Sequence, residues 1–149
     1  MSLNASKTSL KRGILTLNRH LLSLIPAILS MVAMKRNTFS KREQVRLQAD
    51  YDATYRARRS ARDGRLILHV RPNGLAWSRM GLSVAGRFGN ACCRNRFRRL
   101  CREAFRLNKH DIPAGFDIIM RPARTLDATL DEVAQSLLTL TKRLCAPTP

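Results

Sequence analysis

Acidic residues are scarce in this chain: 10 Asp plus Glu stand against 28 Lys plus Arg, for a net charge of +18. Solubility needs only a modest excess of one sign. The imbalance therefore points to a polyanionic partner, nucleic acid before an anionic membrane surface, held largely by counterion release. Aromatic residues are also few, 5% of the chain, so each exposed ring is a candidate for a specific role. There is no CxxC pair, and His69 and His110 lie apart in sequence from Cys92, Cys93, Cys101 and Cys145. The spacing of a zinc site is missing. A secreted disulfide framework fits poorly with so basic a chain, and the expectation is reduced, mostly buried thiols in a cytoplasmic protein. No HExxH, GxSxG or P-loop run occurs, so the familiar signals of protein-based hydrolysis and nucleotide binding are absent. The longest apolar stretch, Leu21 to Ala33, is interrupted by Pro26 and is too short for a membrane span.

At 149 residues the chain has room for one domain. Residues 1–33 differ from the rest: they hold Lys7, Lys11, Arg12 and Arg19 and no acid. A basic front and a short apolar middle resemble a signal peptide. Export would part a nucleic-acid binder from its partner, so the favoured reading is an N-terminal extension, disordered or weakly helical, or a start at Met34, where MKRNTFSKREQ begins. The domain expected over 34–149 keeps 24 basic and 10 acidic residues, or +14.

Along that domain, Val45, Ala49, Asp52 and Arg56 recur at helical spacing and suggest a helix over 42–58. Leu66, Leu68 and Val70 alternate with Ile67, His69 and Arg71, as in a strand. Pro72-Asn73-Gly74 is a turn, and Arg79 to Ala85 a second strand. Asn90 starts a helix running to Asn108; Phe116 to Arg121 is a strand; Thr129 and Glu132 form a capping box for a last helix through Leu144. Its apolar stripe is Leu130, Val133, Ala134, Leu137, Thr141 and Leu144. Helices mixed with a small sheet predict an α+β, two-layer α/β sandwich.

The run RNRFRRLCREAFR, Arg94 to Arg106, holds six Arg in 13 residues. On a helix, Phe97, Leu100, Cys101 and Ala104 share one face, which is expected to pack on the sheet. Arg94, Arg98 and Arg102 line another, with Asn95, Arg99 and Arg106 beside them and only Glu103 to oppose them. A merely solvated face mixes both signs, so this one reads as a phosphate-binding surface. Ahead of it, Gly86-Arg87-Phe88-Gly89-Asn90 makes a sharp turn into the helix N-terminus. Asp50 and Asp52 flank Tyr51 and do not face together on a helix, so they form no paired-carboxylate site.

The segment GLSVAGRFGNACCRNRFRRLCREAFR, residues 81–106, resembles the signature of the bacterial ribonuclease P protein family, whose RNR core is matched by Arg94, Asn95 and Arg96. Asp50, Tyr51 and Tyr55 fill that family's Asp-Phe-x-x-x-Phe element, and FDIIMRP resembles its fourth strand. The likeness runs from Phe39 to Leu144. It implies the order αβββαβα, with an extra strand near 58–62 and a left-handed βαβ crossover, as in a domain of a small-subunit ribosomal protein and of elongation factor G. It implies a 1:1 complex with ribonuclease P RNA that removes the 5′ leader of precursor tRNA. The RNA subunit would carry the chemistry with Mg2+, with no cofactor on the protein and no membrane or further protein partner. By position, Arg87, Asn90, Arg94, Asn95, Arg96, Arg98, Arg99 and Arg102 would face the RNA subunit, and Tyr51, Tyr55 and His69 would line a cleft for the leader. The paired Tyr residues also admit a plain packing role. Ala85 and Gly86 replace the family's usual Ser and basic residue, which leaves Arg87 and, as a substitute phosphate contact, Arg79. A structural RNA-binding protein of the ribosome, a membrane-associated protein and a DNA-binding regulator stand as rivals. The RNR core disfavours the first, dispensability of 1–33 would exclude the second, and an Arg-rich helix inside an α/β order disfavours the third.

Overall fold

The alternation in β2 (Leu66–Pro72) sorts the whole molecule into two sides. β2 pairs antiparallel with β1 (Ser60–Arg62) and with β4 (Phe116–Pro122), and β4 pairs parallel with β3 (Arg79–Leu82), giving the sheet order β1-β2-β4-β3. Register places Leu68 beside Met120 and His69 beside Ile119. Because side chains alternate along a strand, one face carries Leu66, Leu68, Val70, Ile118, Met120 and Met80, all in the main buried core. The other carries Ile67, His69, Arg71, Asp117, Ile119, Arg121, Arg79 and Gly81. This computed structural model describes residues 38–146; the extension expected over 1–33, and Met34, lie outside them.

Helix α1 (Gln48–Arg56) precedes the first three strands, α2 (Ala91–Asn108) links β3 to β4, and α3 (Leu130–Cys145) follows. The order is αβββαβα, with the extra strand at Ser60–Arg62. α3 starts where expected: Thr129 Oγ1 accepts from the Glu132 N–H at 3.3 Å, and the Glu132 carboxylate accepts from the Thr129 N–H at 2.9 Å. Such a cap stabilises a helix start by about 1 kcal/mol. Val133, Leu137, Leu140 and Thr141 are buried on the core side, and Leu130, Ala134 and Leu144 pack partly against it.

Two local expectations change, the first being the strand expected over Arg79 to Ala85, which ends at Leu82. The helix expected over 42–58 is only Gln48–Arg56, preceded by a 3-10 turn, Lys41–Glu43. Val45 has helical spacing but is drawn to the sheet edge, where its N–H donates to the Met80 carbonyl at 2.9 Å. The apolar side of α2 (Phe97, Cys101, Ala104, Phe105) packs as expected into one core with the sheet face of Leu66, Leu68, Val70, Ile118 and Met120, and with α3 beside it. α1 lies over the opposite face of the sheet, against β2 and β4.

Candidate nucleic-acid interface

α2 owes its placement to its two ends and its apolar stripe. Asn90 caps it, with Oδ1 accepting from the Cys93 N–H at 2.9 Å. Gly89, at φ +140°, permits the turn just before. Cys101 is fully buried, and burial pushes its thiol up to about 12, so it serves as packing. The stripe leaves Asn95, Arg96, Arg99 and Arg102 exposed, with Arg94 and Arg98 half-buried at its margins. Arg98 donates to Asn95 Oδ1 at 3.1 Å, which aligns the two side chains. Among the described residues, none of Arg94, Arg96, Arg98, Arg99 and Arg102 enters an ion pair. Glu103 turns to Arg106 (2.5 Å) and Glu43 to Lys109 (3.0 Å). Exposed Arg87 lies in the preceding 3-10 turn, its guanidinium 5.2 Å from the Phe88 ring. The surface is thus a run of unopposed guanidinium groups, suited to successive phosphates.

The second group gathers where α1 crosses the other sheet face. Tyr51 and Tyr55 are four apart on α1 and both half-buried. The Tyr51 hydroxyl accepts from the Leu82 N–H at 3.1 Å and donates to the Leu82 carbonyl at 3.4 Å. That contact occupies backbone groups of β3, a sheet edge. Burial raises the pKa of this phenol above its ordinary value. The ring fits only because residue 81 is Gly: a Cβ there would lie 2.8 Å from the Tyr51 oxygen. Tyr55 meets His69 edge to face, with centroids 4.8 Å apart. Burial, then the charge of Arg121, holds the His69 pKa below its usual value.

The two groups border one hollow. Tyr51, Gly81 and Leu82 line a concavity of about 130 Å³ together with Arg98 and Arg102 of α2. Beyond His69, the same sheet face opens into a second hollow of about 360 Å³ lined by Arg62, Asp63, Gly64, Ile67, Ala123 and Arg124. Arg121 pairs opposite Ile67 in the register. Sequence reasoning did not single out Arg62, Arg121 or Arg124. The alternation of β2, carried across to β1 and β4, was the signal that could have found Arg62 and Arg121; Arg124 lies past the end of β4 and had none.

Arg79 does not stand free for a phosphate. Asp117, fully buried, accepts from Arg79 Nε and from Arg71, both at 2.7 Å, and from Asn73 Nδ2 at 3.0 Å. Asp50 of α1 joins the same two arginines at 3.2 and 3.3 Å. Burial would raise the Asp117 pKa, but Arg79, Arg71 and Asn73 together hold it below the usual carboxylate value. This network ties α1 to the sheet beneath Tyr51 and was invisible in sequence, because its members lie on separate elements.

A basic α/β sandwich with an unopposed arginine helix beside an aromatic-lined face defines a class, that of basic scaffolds suited to a polyanion. The sequence pattern of the Ribonuclease P family matches residues 39–145. The ribonuclease P protein component of Thermotoga maritima is 37% identical over 112 residues, 72% of this chain and 96% of the relative. That of Clostridioides difficile is 33% identical, covering 70% and 94%. In solved structures, the RNase P protein from Thermotoga maritima superposes with a TM-score of 0.63 at 36% identity, covering 68% of this chain and 96% of that one. The Staphylococcus aureus RNase P protein gives 0.61 at 27%, covering 68% and 94%. The chain belongs to the ribonuclease P protein family, whose place is in tRNA processing as part of a ribonucleoprotein nuclease. Among the described residues, no helix is long and apolar enough to cross a membrane.

Proposed function

We propose that this protein is the RNA-binding subunit of a cytoplasmic ribonuclease P, in a 1:1 complex with the catalytic RNA, and that it assists removal of the 5′ leader from precursor tRNA. The observation that carries the reading is the α2 surface: Arg94, Arg96, Arg98, Arg99 and Arg102 with no acid set against them. These residues, with Arg87, Asn90 and Asn95, hold phosphates of the RNA subunit. Tyr51, Tyr55 and His69 line the path of the single-stranded leader, where flat side chains stack on unpaired bases. The Tyr51 hydroxyl is engaged by Leu82, so its contribution to a ligand is the ring. Arg62, Arg121 and Arg124 extend that path with charge for the leader backbone. Hydrolysis belongs to the RNA subunit and its Mg2+; the protein positions and neutralises.

Reconstitution tests the reading. The chain starting at Met34, and the full chain, are mixed with a bacterial ribonuclease P RNA at low Mg2+, and leader removal from precursor tRNA is followed. Stimulation that needs both components supports it. Failure of both chains to stimulate refutes it in favour of a structural RNA-binding role.

A further inference from the structure

The only tryptophan of the chain, Trp77, stands 37% exposed in the loop between β2 and β3 and is not among the residues assigned a role so far. An exposed indole in a chain so poor in aromatics asks for a reason. The ring is held rather than loose. Its Nε1–H donates to the Arg42 carbonyl at 3.3 Å, and the Arg42 guanidinium lies 5.4 Å from the ring centroid. The loop beneath is fastened on both sides: Asn73 Nδ2 donates to the Trp77 carbonyl at 3.3 Å, and Ser78 Oγ donates to the Pro113 carbonyl at 2.6 Å. A fixed aromatic face loses little entropy on stacking. Its surroundings are cationic, since Arg42 and its neighbour Lys41 are both exposed. A protein partner would call for a wide apolar patch; here Leu75 is the one other exposed large hydrophobic residue in the loop.

We propose that Trp77, backed by Arg42, is a stacking platform for one unpaired nucleobase, whose neighbouring phosphates meet Lys41 and Arg42. The inference rests on the RNA-binding reading above and adds to it a contact site on a different loop. Two sources offer the same chemistry, an unpaired base of the RNA subunit or one of the precursor's leader, and the arms of the test separate them.

A lone tryptophan makes that test direct. The emission of the full chain is followed while ribonuclease P RNA, leader-bearing precursor tRNA or mature tRNA is added, with binding measured independently on labelled RNA. The expected result is quenching that saturates together with binding in one of the first two arms. Trp77→Ala then weakens that RNA about ten-fold, the scale of one base stacked on an aromatic ring, and Trp77→Phe, which keeps a π face, restores most of it. Unchanged emission while RNA binds overturns the platform. So do equal losses in Trp77→Ala and Trp77→Phe, which would trace the effect to the lost N–H bond to Arg42. If no RNA binds at all, the RNA-subunit reading falls and the platform with it. The emission arm needs no variant, so it stands even if Trp77→Ala folds poorly.

Discussion

Gly81 shows how one atom more would reach the site. Its place in the resemblance to the family is explained by Tyr51, whose oxygen and Cζ lie 2.8 and 2.9 Å from where a Cβ would stand. Gly81→Ala should therefore displace the Tyr51 ring and break its bonds to Leu82. The expected outcome is weaker binding of leader-bearing precursor with mature tRNA hardly affected, measured as the ratio of the two dissociation constants. An unchanged ratio would mean that Tyr51 serves packing alone. Tyr51→Phe separates the parts: it keeps the ring, loses the hydroxyl, and should cost stability by about 1 kcal/mol in denaturant unfolding while leaving leader preference in place. His69 belongs at this scale too, because Tyr55 packs against it. With its pKa held down in the folded state, the unfolded chain binds the extra proton first. His69 thus contributes stability above its unfolded value, near 6.5, and that contribution fades as pH falls through it.

At the scale of elements, the arginine helix is the unit to test. Replacing Arg94, Arg96 and Arg98 together by Ala should weaken binding to the RNA subunit and flatten its dependence on salt. With three fewer phosphates neutralised, the log–log slope falls in magnitude by about 2–3. The slope, read from titrations at several KCl concentrations, decides: the same slope as the parent removes these side chains from the phosphate surface. α2 is also where the sequence was most legible. Asn90 as cap and the buried stripe follow from local periodicity, though Leu100 of the expected stripe is only half-buried and Phe105 is buried in addition. β2, β4 and α3 were equally plain, because alternation and a capping box are local signals. The 42–58 region was not: Val45 has helical spacing, yet pairing with Met80 on a distant strand overrides it. Nor could sequence show that α3 shares the core with α2 and the sheet, since an apolar stripe states that a face is buried and not against what.

For the whole molecule, the scarce acids decide where the field is cancelled and where it is left open. Of the 10 acids, Asp50 and Asp117 are committed to Arg71 and Arg79, Glu132 to Arg65, Glu43 to Lys109 and Glu103 to Arg106. All but Glu103–Arg106, which lies within α2, join separate parts of the chain, and together they leave the exposed arginines of α2 unopposed. Stability and binding surface are therefore linked through the same carboxylates. Glu43, Asp117 and Glu132 each hold their pKa below the ordinary value, through hydrogen bonds and the facing cations against whatever burial costs them. A depressed carboxylate contributes stability that is fully present above its unfolded value, near 4, and is lost as pH falls through the folded value. Acid should thus loosen the fold below about pH 4.5, and the rising net charge adds self-repulsion. Asp117 is the one of the three that is fully buried, between two guanidinium groups. Asp117→Asn leaves Arg71 and Arg79, both partly exposed, with Asp50 as their remaining carboxylate, so the loss should fall below the about 3–5 kcal/mol of a buried pair stripped of its partner. Urea unfolding at pH 7 should show that loss, and a series down to pH 3 should show a shallower decline for the variant than for the parent. If the two decline in parallel, the acid sensitivity resides in the exposed pairs, and the Asp117 network is not what fastens α1 to the sheet.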